Sequence, residues 1–538
     1  MTTATNTTTD SRPPADPPIA PGRDRFAYLL RAEWTKFRTV RGWIVAVFVS
    51  MVLTVLLGLF ISSHSHIAPC TTGPNGGGCS YILPNGPGGE AVTDTYYFVH
   101  RALTAEGTIT VRMTSLSEAS ENGQNPQGGP AQKQPASVPW SKAGLIITAG
   151  SDQGAAYAAV MVTGSHGARM QWNYTGDAPG LAGDVSAASP RWLRLTRAGD
   201  LVTGYDSADG ANWTEIGAVT LPGLASSVQA GLFVTSPGST TPTNQGATSA
   251  SGTSSGATDA TADFDHVDLT GGAPGGSWTG TSVGGGSESP YPTGSAVGYR
   301  QNADGSFAVT GSGDIAPDVT DGVGVSVLFT GLFIALIAMV VIGALFMTAE
   351  YRRGLIRATL AASPRRGWVL AAKAVVLGGV TFAAELAALA ATVLIGVPLL
   401  RSSGNPVYPV TVLTEARAIV GAAALTAVFA VFALGVGSIL RHGAGAVTAA
   451  LTAVVLPYLL TAGIAVLPTG AAQWLMRVTP AAGFSIDQVV PAYPQVAAAY
   501  TPANGFFPLA PWAGFAVACG YAVLALGLAA YLIRRRDA

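Results

Sequence analysis

Charged residues are scarce in this chain: Asp, Glu, Lys and Arg together make up 11% of its 538 residues, while hydrophobic residues make up 48%. Soluble domains carry about 25% charged residues. This composition therefore places the chain in the membrane class. The formal net charge of -1 conceals an uneven distribution, because Arg and Lys cluster beside hydrophobic runs while Gly, Ser and Thr fill a long polar stretch.

Several catalytic motifs are missing as well. The sequence contains no GxxxxGK[ST] phosphate-binding loop and no HExxH zinc motif. The GxSxG spacing occurs at 252–256 and 280–284, but both matches lie in Gly/Ser-rich stretches without the strand-to-helix turn of a nucleophile elbow. The chain therefore cannot act as its own P-loop ATPase. We expect it not to be an enzyme and to bind no cofactor of its own.

Cysteine is rare, with three residues in the whole chain. Cys70 and Cys79 flank the turn CTTGPNGGGC, and Cys519 lies in the last hydrophobic run. If this turn is outside the cell, Cys70 and Cys79 can form a disulfide that closes a short loop. The alternative is two free thiols. No second Cys or His pair has zinc-site spacing, so we expect no metal.

The hydrophobic runs predict six membrane spans. The first run, WIVAVFVSMVLTVLLGLFI, stands alone, and the next begins only at Val323. The third span is longer than a bilayer needs, so it tilts or its end leaves the membrane near Pro398. The predicted spans are 43–62, 323–347, 368–400, 415–439, 444–467 and 511–533.

Arginine and lysine in the short loops predict the orientation. They cluster before the first span, between the second and third, between the fourth and fifth, and after the sixth. The opposite short loops hold only Arg401, Arg417 and Arg477. We therefore expect a multi-pass protein of the cell membrane with both termini cytoplasmic and residues 63–322 extracytoplasmic.

Residues 1–24 form a polar, Pro/Thr-rich tail without signal-peptide features, which we interpret as disordered.

Two further segments, 25–42 and 471–490, are predicted to lie at the membrane surface. Residues 25–42 mix aromatic and basic residues and predict an amphipathic helix on the inner leaflet. Residues 471–490 are mildly apolar and broken at Pro480. They predict either a re-entrant or interfacial helix on the outer face, or an ordinary loop with a surface helix.

The polar insert, 63–322, carries many short strand patterns between about 90 and 270, separated by turn signals. Such a pattern predicts a β-sandwich. Residues 271–322 are Gly/Ser-rich and predict a linker. The stretch YDSADGANWTEIG resembles the hairpin of concanavalin-like jelly-roll domains, and WSKAGLIITAG, QAGLFVTS and ADFDHVDL fit the same pattern.

That fold often binds carbohydrate, so four tryptophans are candidate sugar-stacking platforms or, equally, core and rim residues. They are Trp140, Trp172, Trp192 and Trp213. Asp206 and Asp209 are candidates for calcium binding, although a β-turn explains them more simply.

The segment between the second and third spans, TAEYRRGLIRATLAASPRRGWVLAAK, resembles the first cytoplasmic loop of type-2 ABC exporter permeases. The matching features are an acidic residue and a Gly before a short helix, and a small-Pro-Arg turn followed by Lys373. The segments LLRAEWTKFRTVRGW and YLIRRRDA resemble the entry helix and the terminal tail of that family. The resemblance covers about 25–62 and 323–538, and the large insert departs from the minimal pattern.

The resemblance implies that the chain is a permease subunit whose residues 323–538 form a five-helix transmembrane region. It would pair with a second permease, identical or different, and bind separate cytoplasmic ABC ATPase subunits that hold ATP and Mg. Loop 349–367 would couple the two. The implied coupling residues are Glu350, Arg352, Arg353, Gly354, Arg357, Pro364 and Arg365. The alternative for the arginines is that they only enforce topology.

Glu385, inside the third span, is a candidate intramembrane functional residue, since such carboxylates are costly in lipid. The expected partners are these subunits and the lipid bilayer. We expect no nucleic acid partner. Two other functions remain open from the sequence: a membrane-anchored carbohydrate-binding, ligand-binding or sensor protein, and a membrane-embedded enzyme. One anchor would suffice for the first, and no catalytic constellation supports the second.

Overall fold

The computed structural model describes most of the chain in separate stretches. These are residues 24–64, 83–121, 133–150, 152–243, 252–272, 276–284, 297–319, 325–355, 365–403, 407–463, 467–496, 500, 502 and 505–536. The predicted disulfide between Cys70 and Cys79 lies outside the described residues, as do Arg357 and Pro364.

Six helices in the described part of the chain are long and apolar enough to cross a membrane, which confirms the predicted α-helical polytopic fold. Two shorter helices accompany them. The helices are α1 (Asp24–Thr39), α2 (Arg41–His64), α3 (Thr330–Arg352), α4 (Arg366–Ser402), α5 (Val412–Leu440), α6 (Gly443–Tyr458), α7 (Thr469–Val478) and α8 (Pro511–Arg536). Val325–Phe329 and Pro480–Asp487 are 3₁₀ turns, and Leu459–Gly463 is a π turn.

Prolines affect two of these helices differently. α4 is the long helix that the sequence predicts: it continues through Pro398 to Ser402, and its 37 residues correspond to a length of about 55 Å. α6 ends at Tyr458, directly after Pro457, and changes to a π turn. Proline removes one helical hydrogen bond and clashes with the preceding turn, which explains the change of helix type at this point.

The insert is an all-β domain, as predicted. Its strands are β1 (Val92–Asp94), β2 (Tyr96–Glu121), β3 (Lys133–Pro135), β4 (Lys142–Thr148), β5 (Tyr157–Thr163), β6 (Ala168–Trp172), β7 (Gly176–Pro179), β8 (Arg191–Ala198), β9 (Leu201–Ser207), β10 (Thr214–Thr220), β11 (Ser227–Thr235), β12 (Ser239–Thr243), β13 (Gly252–Gly256), β14 (Thr258–Gly272), β15 (Thr279–Val283), β16 (Gly298–Gln301), β17 (Phe307–Gly311) and β18 (Ile315–Pro317).

The long strand β2 joins the two layers of a sandwich. The sequence patterns at 96–103 and 107–113 predict two strands here, whereas the structure has one continuous strand of 26 residues. Its first half pairs with β11 and β15, and its second half pairs with β8 and β14. The layers are β7-β6-β5-β4-β11-β2-β15 and β10-β9-β8-β2-β14-β17-β16. Alternating side chains such as Leu145, Leu193 and Leu232 are fully buried between them, which is the packing expected of a sandwich.

The helix directions define two ends of the bundle. The insert is attached at the C-terminal end of α2 and near the N-terminal end of α3, and we call this the insert end. The C-terminal end of α3 and the N-terminal end of α4 lie at the opposite end, together with α1.

Candidate functional site

Helix α1 packs at the end of the bundle opposite the insert, where α3 ends and α4 begins. Its apolar side chains contact these helices: Phe37 packs edge-on against Phe346 at 5.8 Å, and Phe26 against Trp368 at 5.4 Å. α1 buries one face, which includes Phe37, and leaves Tyr28 and Trp34 exposed. It is therefore amphipathic, as the sequence predicts.

Four charged side chains from these three helices form a closed cluster, which we call the charge ring: Glu33, Lys36, Glu350 and Lys373. Lys373 Nζ lies 2.7 Å from both Glu33 Oε2 and Glu350 Oε1. Lys36 Nζ lies 2.9 Å from Glu33 Oε1 and 3.3 Å from Glu350 Oε1. The two cations and two carboxylates alternate, so the ring has no net charge.

Burial differs around the ring. The side chain of Lys373 is 0% exposed and that of Glu33 is 2% exposed, whereas that of Lys36 is 42% exposed. A buried lysine would be costly without its two carboxylates, and removal of one member leaves an uncompensated buried charge. Partial burial lowers the pKa of Lys36, but the hydrogen bond and charge of Glu33 together with Glu350 outweigh it and raise that pKa overall. Lys36 therefore stays protonated within the ring.

The segment between α3 and α4 contains a glycine, Gly354, close to the end of α3. Gly354 has φ +68° and its N–H donates to Tyr351 O at 3.2 Å, which is the left-handed termination common at helix C-termini. Arg352 and Arg353 are exposed beside it. On the other side, the Arg365 guanidinium lies 5.0 Å from the centre of the Trp368 ring, and Trp368 contacts α1. Helix α1 thus contacts both ends of this segment.

Glu385 lies deep in α4 and is fully buried. Its carboxylate accepts hydrogen bonds from Ser50 Oγ at 2.9 Å and Thr54 Oγ1 at 3.2 Å, both from α2. A polar group without water needs such partners. The arrangement ties α2 to α4, while a role in moving a substrate or a proton remains a prediction.

Three of the four tryptophans proposed as sugar platforms have a cation over the ring. Arg194 lies 3.7 Å from the Trp213 ring centre, Arg112 lies 5.8 Å from that of Trp192, and Arg169 lies 5.5 Å from that of Trp140. Trp140 also stacks on the His166 ring at 3.9 Å and is 8% exposed. The Trp172 ring lies against Gly176. Each of these contacts lies on one side of its ring, and carbohydrate binding by the four tryptophans stays a prediction.

The two aspartates considered for calcium have protein partners. Asp209 accepts N–H bonds from Ala211 and Asn212, at 2.9 and 2.8 Å, and these bonds lower its pKa. Asp206 is buried and accepts a hydrogen bond from Leu181 N. The described residues contain no group of three or more His, Cys, Asp or Glu suited to a metal ion.

The structure adds residues to the charge ring and to the surroundings of Glu385 that the sequence did not indicate. Glu33 and Lys36 are spaced by three in an amphipathic helix, which is also the pattern of an ordinary surface pair. The second partner of Glu33, Lys373, lies 340 positions away in the sequence, so nothing local distinguishes the two cases. Ser50 and Thr54 were equally hidden, since hydroxyls are common in apolar helices.

A bundle of six helices long and apolar enough to cross a membrane, with a charge ring at one end and a β insert at the other, defines a polytopic membrane protein. A family model described as "ABC-2 family transporter protein" matches residues 231–538, more than half of the 538 residues. The chain belongs to this family. It is the membrane permease of an ABC transport system, and as such a transport subunit rather than a catalytic one. The match begins inside β11 and so includes the last part of the insert.

No curated protein matches the chain. Among solved structures, a functionally unknown protein from Saccharomyces cerevisiae is similar at 15% identity over 33% of this chain and 75% of that one, with a TM-score of 0.17. The GH43 BlXynB protein from Bacillus licheniformis gives 14% identity over 31% and 28%, with a TM-score of 0.19. Scytalido-glutamic peptidase gives 11% over 41% and 98%, with a TM-score of 0.25.

Proposed function

We propose that this permease pairs with separate cytoplasmic ATPase subunits and exports a substrate, with the segment 349–367 as the coupling element. The observation that supports it best is the charge ring, because it joins α1, α3 and α4 around the two ends of that segment. A push on the segment would therefore move three helices together rather than bend a loop.

The orientation follows from charge. The ring end carries exposed Arg352, Arg353 and Arg365 and the arginines that end α8, and the positive-inside rule assigns such an end to the cytoplasm. The insert is then extracytoplasmic. An acidic groove on an ATPase would suit Arg352 and Arg353, because guanidinium groups bind carboxylates in bidentate fashion.

The nucleotide chemistry belongs to the partner in this proposal. ATP and Mg would be held by the ATPase subunits, and closure of those subunits would displace the coupling segment. A second permease, identical or different, would complete the membrane pathway. The chain's own residues supply the docking charges and the rigid connection to α3 and α4.

The test is co-purification from native membranes in mild detergent, with the eluate examined for an ATPase subunit and for ATP turnover. Arg353→Glu reverses a charge on the coupling segment, and Arg401→Glu reverses an exposed arginine at the end of α4 that lies at the insert end. We expect wild type and Arg401→Glu to recover an ATPase, and Arg353→Glu to lose most of it. Wild type that purifies without an ATPase, under conditions that preserve known complexes, would contradict the proposal.

A further inference from the structure

The insert does not hang free from the bundle but rests on the loop that leads into α8. Two residues of the insert, Ala316 and Val319, pack in one apolar cluster with side chains of that loop. We call this cluster the dock. Its loop members are Val490, Tyr493, Val496, Tyr500 and Phe506.

The insert side of the dock is firmly built. β1 and β18 pair antiparallel where the chain enters and leaves the insert. The fully buried Lys142 Nζ donates to Asp314 Oδ1 at 2.6 Å and to Ile315 O at 2.7 Å, so β18 is fixed to the sandwich strand β4. Asp94 of β1 accepts hydrogen bonds from Gly154 N and Tyr174 Oη, both at 2.9 Å. The base of the insert must therefore move with the sandwich.

The loop side is also ordered by hydrogen bonds. Burial raises the pKa of Tyr500 to about 12, so its hydroxyl stays protonated and donates to Tyr493 O at 2.6 Å. The hydroxyl also accepts from Tyr493 N at 3.2 Å. Gln495, which is 4% exposed, donates from Nε2 to Thr175 O of the insert at 3.1 Å. A polar and an apolar contact thus hold the same loop against the insert.

The same loop continues into the membrane helices. Phe506 packs in the dock, whereas its neighbour Phe507 packs against the bundle core. Phe507 N donates to Gln488 Oε1 at 3.1 Å, and Arg417 of α5 donates to Gln488 O. Val490 packs against both the dock and the cluster formed by α4 and α5. The loop therefore has one side on the insert and the other on the bundle.

Gln488 directly follows the 3₁₀ turn Pro480–Asp487, which we call the wedge. Seven of its eight residues are buried. Phe484 lies 4.4 Å from the Tyr458 ring and 5.9 Å from the Phe429 ring, and the turn meets α8 at Gly514. The wedge thus lies among α5, α6 and α8.

We propose that the insert, through the dock, sets the position of the wedge among these helices, so that a ligand or a force on the insert acts on the membrane pathway. The coupling is a property of this chain alone, whereas its effect on ATP turnover rests on the proposed function. Tight packing transmits such a displacement because packed cores have little free volume, and two sites that bias one element are energetically linked.

The first test uses the full chain in detergent and needs no ATPase. Ser485→Cys places a thiol in the buried wedge, and its reaction with N-ethylmaleimide is followed by peptide mass. Ala316→Asp puts a charge into the dock from the insert side, and Leu201→Asp puts one on an exposed strand position away from it. We expect Ala316→Asp to speed the labelling of Ser485→Cys roughly tenfold, since opening of the dock would populate an open wedge. Leu201→Asp should leave it unchanged.

A milder change guards against misfolding. Gln495→Ala, on the loop side, should raise the labelling rate in the same direction but less. The coupling would be overturned if Ser485→Cys were labelled at the same rate with Ala316→Asp, with Gln495→Ala and with Leu201→Asp. This conclusion requires that the dock has opened, which is shown when Val496→Cys, a dock position, reacts as fast as the exposed Ala492→Cys in the two dock variants. Continued protection of Val496→Cys in both dock variants would overturn it too, because the dock would then not respond to its own contacts.

The second test uses the complex with its ATPase. Ala316→Asp should change ATP turnover at least twofold relative to wild type and Leu201→Asp. Unchanged turnover with the ATPase still bound would overturn the effect on transport. Failure to recover any ATPase would instead refute the proposed function, and the labelling result would stand by itself.

Discussion

Lys373 Nζ lies 2.7 Å from Glu33 Oε2, although the two residues are 340 positions apart in the sequence. Glu33 belongs to the amphipathic helix that precedes the first span, and Lys373 to the third span. Their contact converts a helix that could simply lie on the membrane into a part of the bundle. It also places that helix where the coupling segment begins and ends.

Loss of the buried lysine should be costly, and loss of one carboxylate as well should be less so. Lys373→Met leaves Glu33 and Glu350 facing each other with only Lys36 between them, and such changes typically cost about 3–5 kcal/mol. The double variant Lys373→Met/Glu350→Gln restores a balanced Glu33–Lys36 pair. We expect thermal unfolding in detergent to rank wild type above the double variant, and the double variant above Lys373→Met. A double variant less stable than the single one would contradict the ring.

Gly354 should be needed for its backbone conformation rather than for lack of space. Its φ is +68°, and no described atom lies within 4 Å of the place where a Cβ would be. Gly354→Ala should therefore cost about 1 kcal/mol or slightly more, whereas Gly354→Asn, which tolerates this region, should cost less. Recovery of the ATPase should follow the order Gly, Asn, Ala, Pro. Equal recovery with Ala and Asn would show that the left-handed turn is dispensable.

The close approach of the wedge to α8 can be tested with two glycines of one helix. A Cβ at Gly514 would lie 2.0 Å from Ser485 Oγ and 2.1 Å from Ala482 O, whereas the position at Gly520 is open. Gly514→Ala should destabilise the chain by roughly 1–3 kcal/mol through overpacking. Gly520→Ala should be neutral or stabilising because alanine favours helices. The comparison is made by thermal unfolding, and similar midpoints for both variants would argue against a packed wedge.

The base of the insert should respond to pH through Asp94. Burial raises the pKa of Asp94 to about 6, although Gly154 N–H and the Tyr174 hydroxyl oppose this shift. The folded state thus holds the proton more tightly than the unfolded chain, and the resulting stability is fully present below about pH 4 and lost as the pH rises through 6. The change corresponds to about 3 kcal/mol.

Asp94→Asn removes this titration while it keeps an oxygen acceptor. The melting temperature of the variant, measured against wild type at each pH, should therefore rise between pH 4 and pH 7. A constant difference would show that Asp94 titrates as an exposed carboxyl does. Comparison at each pH cancels the groups that titrate in both proteins, including Asp209 and Asp265, whose pKa values are lowered.

The spans and the sandwich could be predicted because each rests on a local pattern. A run such as Trp43–Ile61 is predominantly apolar and carries no charge, and a strand such as Arg191–Ala198 alternates buried and partly exposed side chains. Helix ends that depend on the surrounding structure could not be predicted in the same way. Pro398 stays inside α4, whereas Pro457 precedes a change to a π turn, and the two prolines look alike in sequence.

The site was accessible only in part for the same reason. Glu350, Gly354 and Arg365 belong to one short motif, so a family resemblance could indicate them. Glu33 joins the site through tertiary packing, and the dock arises where Ala316 meets Val496, far away in the chain. Such pairs depend on how complete elements pack, and no window of sequence contains both partners.

Photocrosslinking tests the central claim most directly. A benzophenone amino acid at Arg353 marks the exposed coupling segment, and one at Val412, which is 80% exposed, marks the start of α5 at the insert end. Irradiation of native membranes should join the chain to an ATPase subunit from position 353 and not from position 412. Adducts with an ATPase from position 412 but not from 353 would contradict both the orientation and the coupling role of this segment.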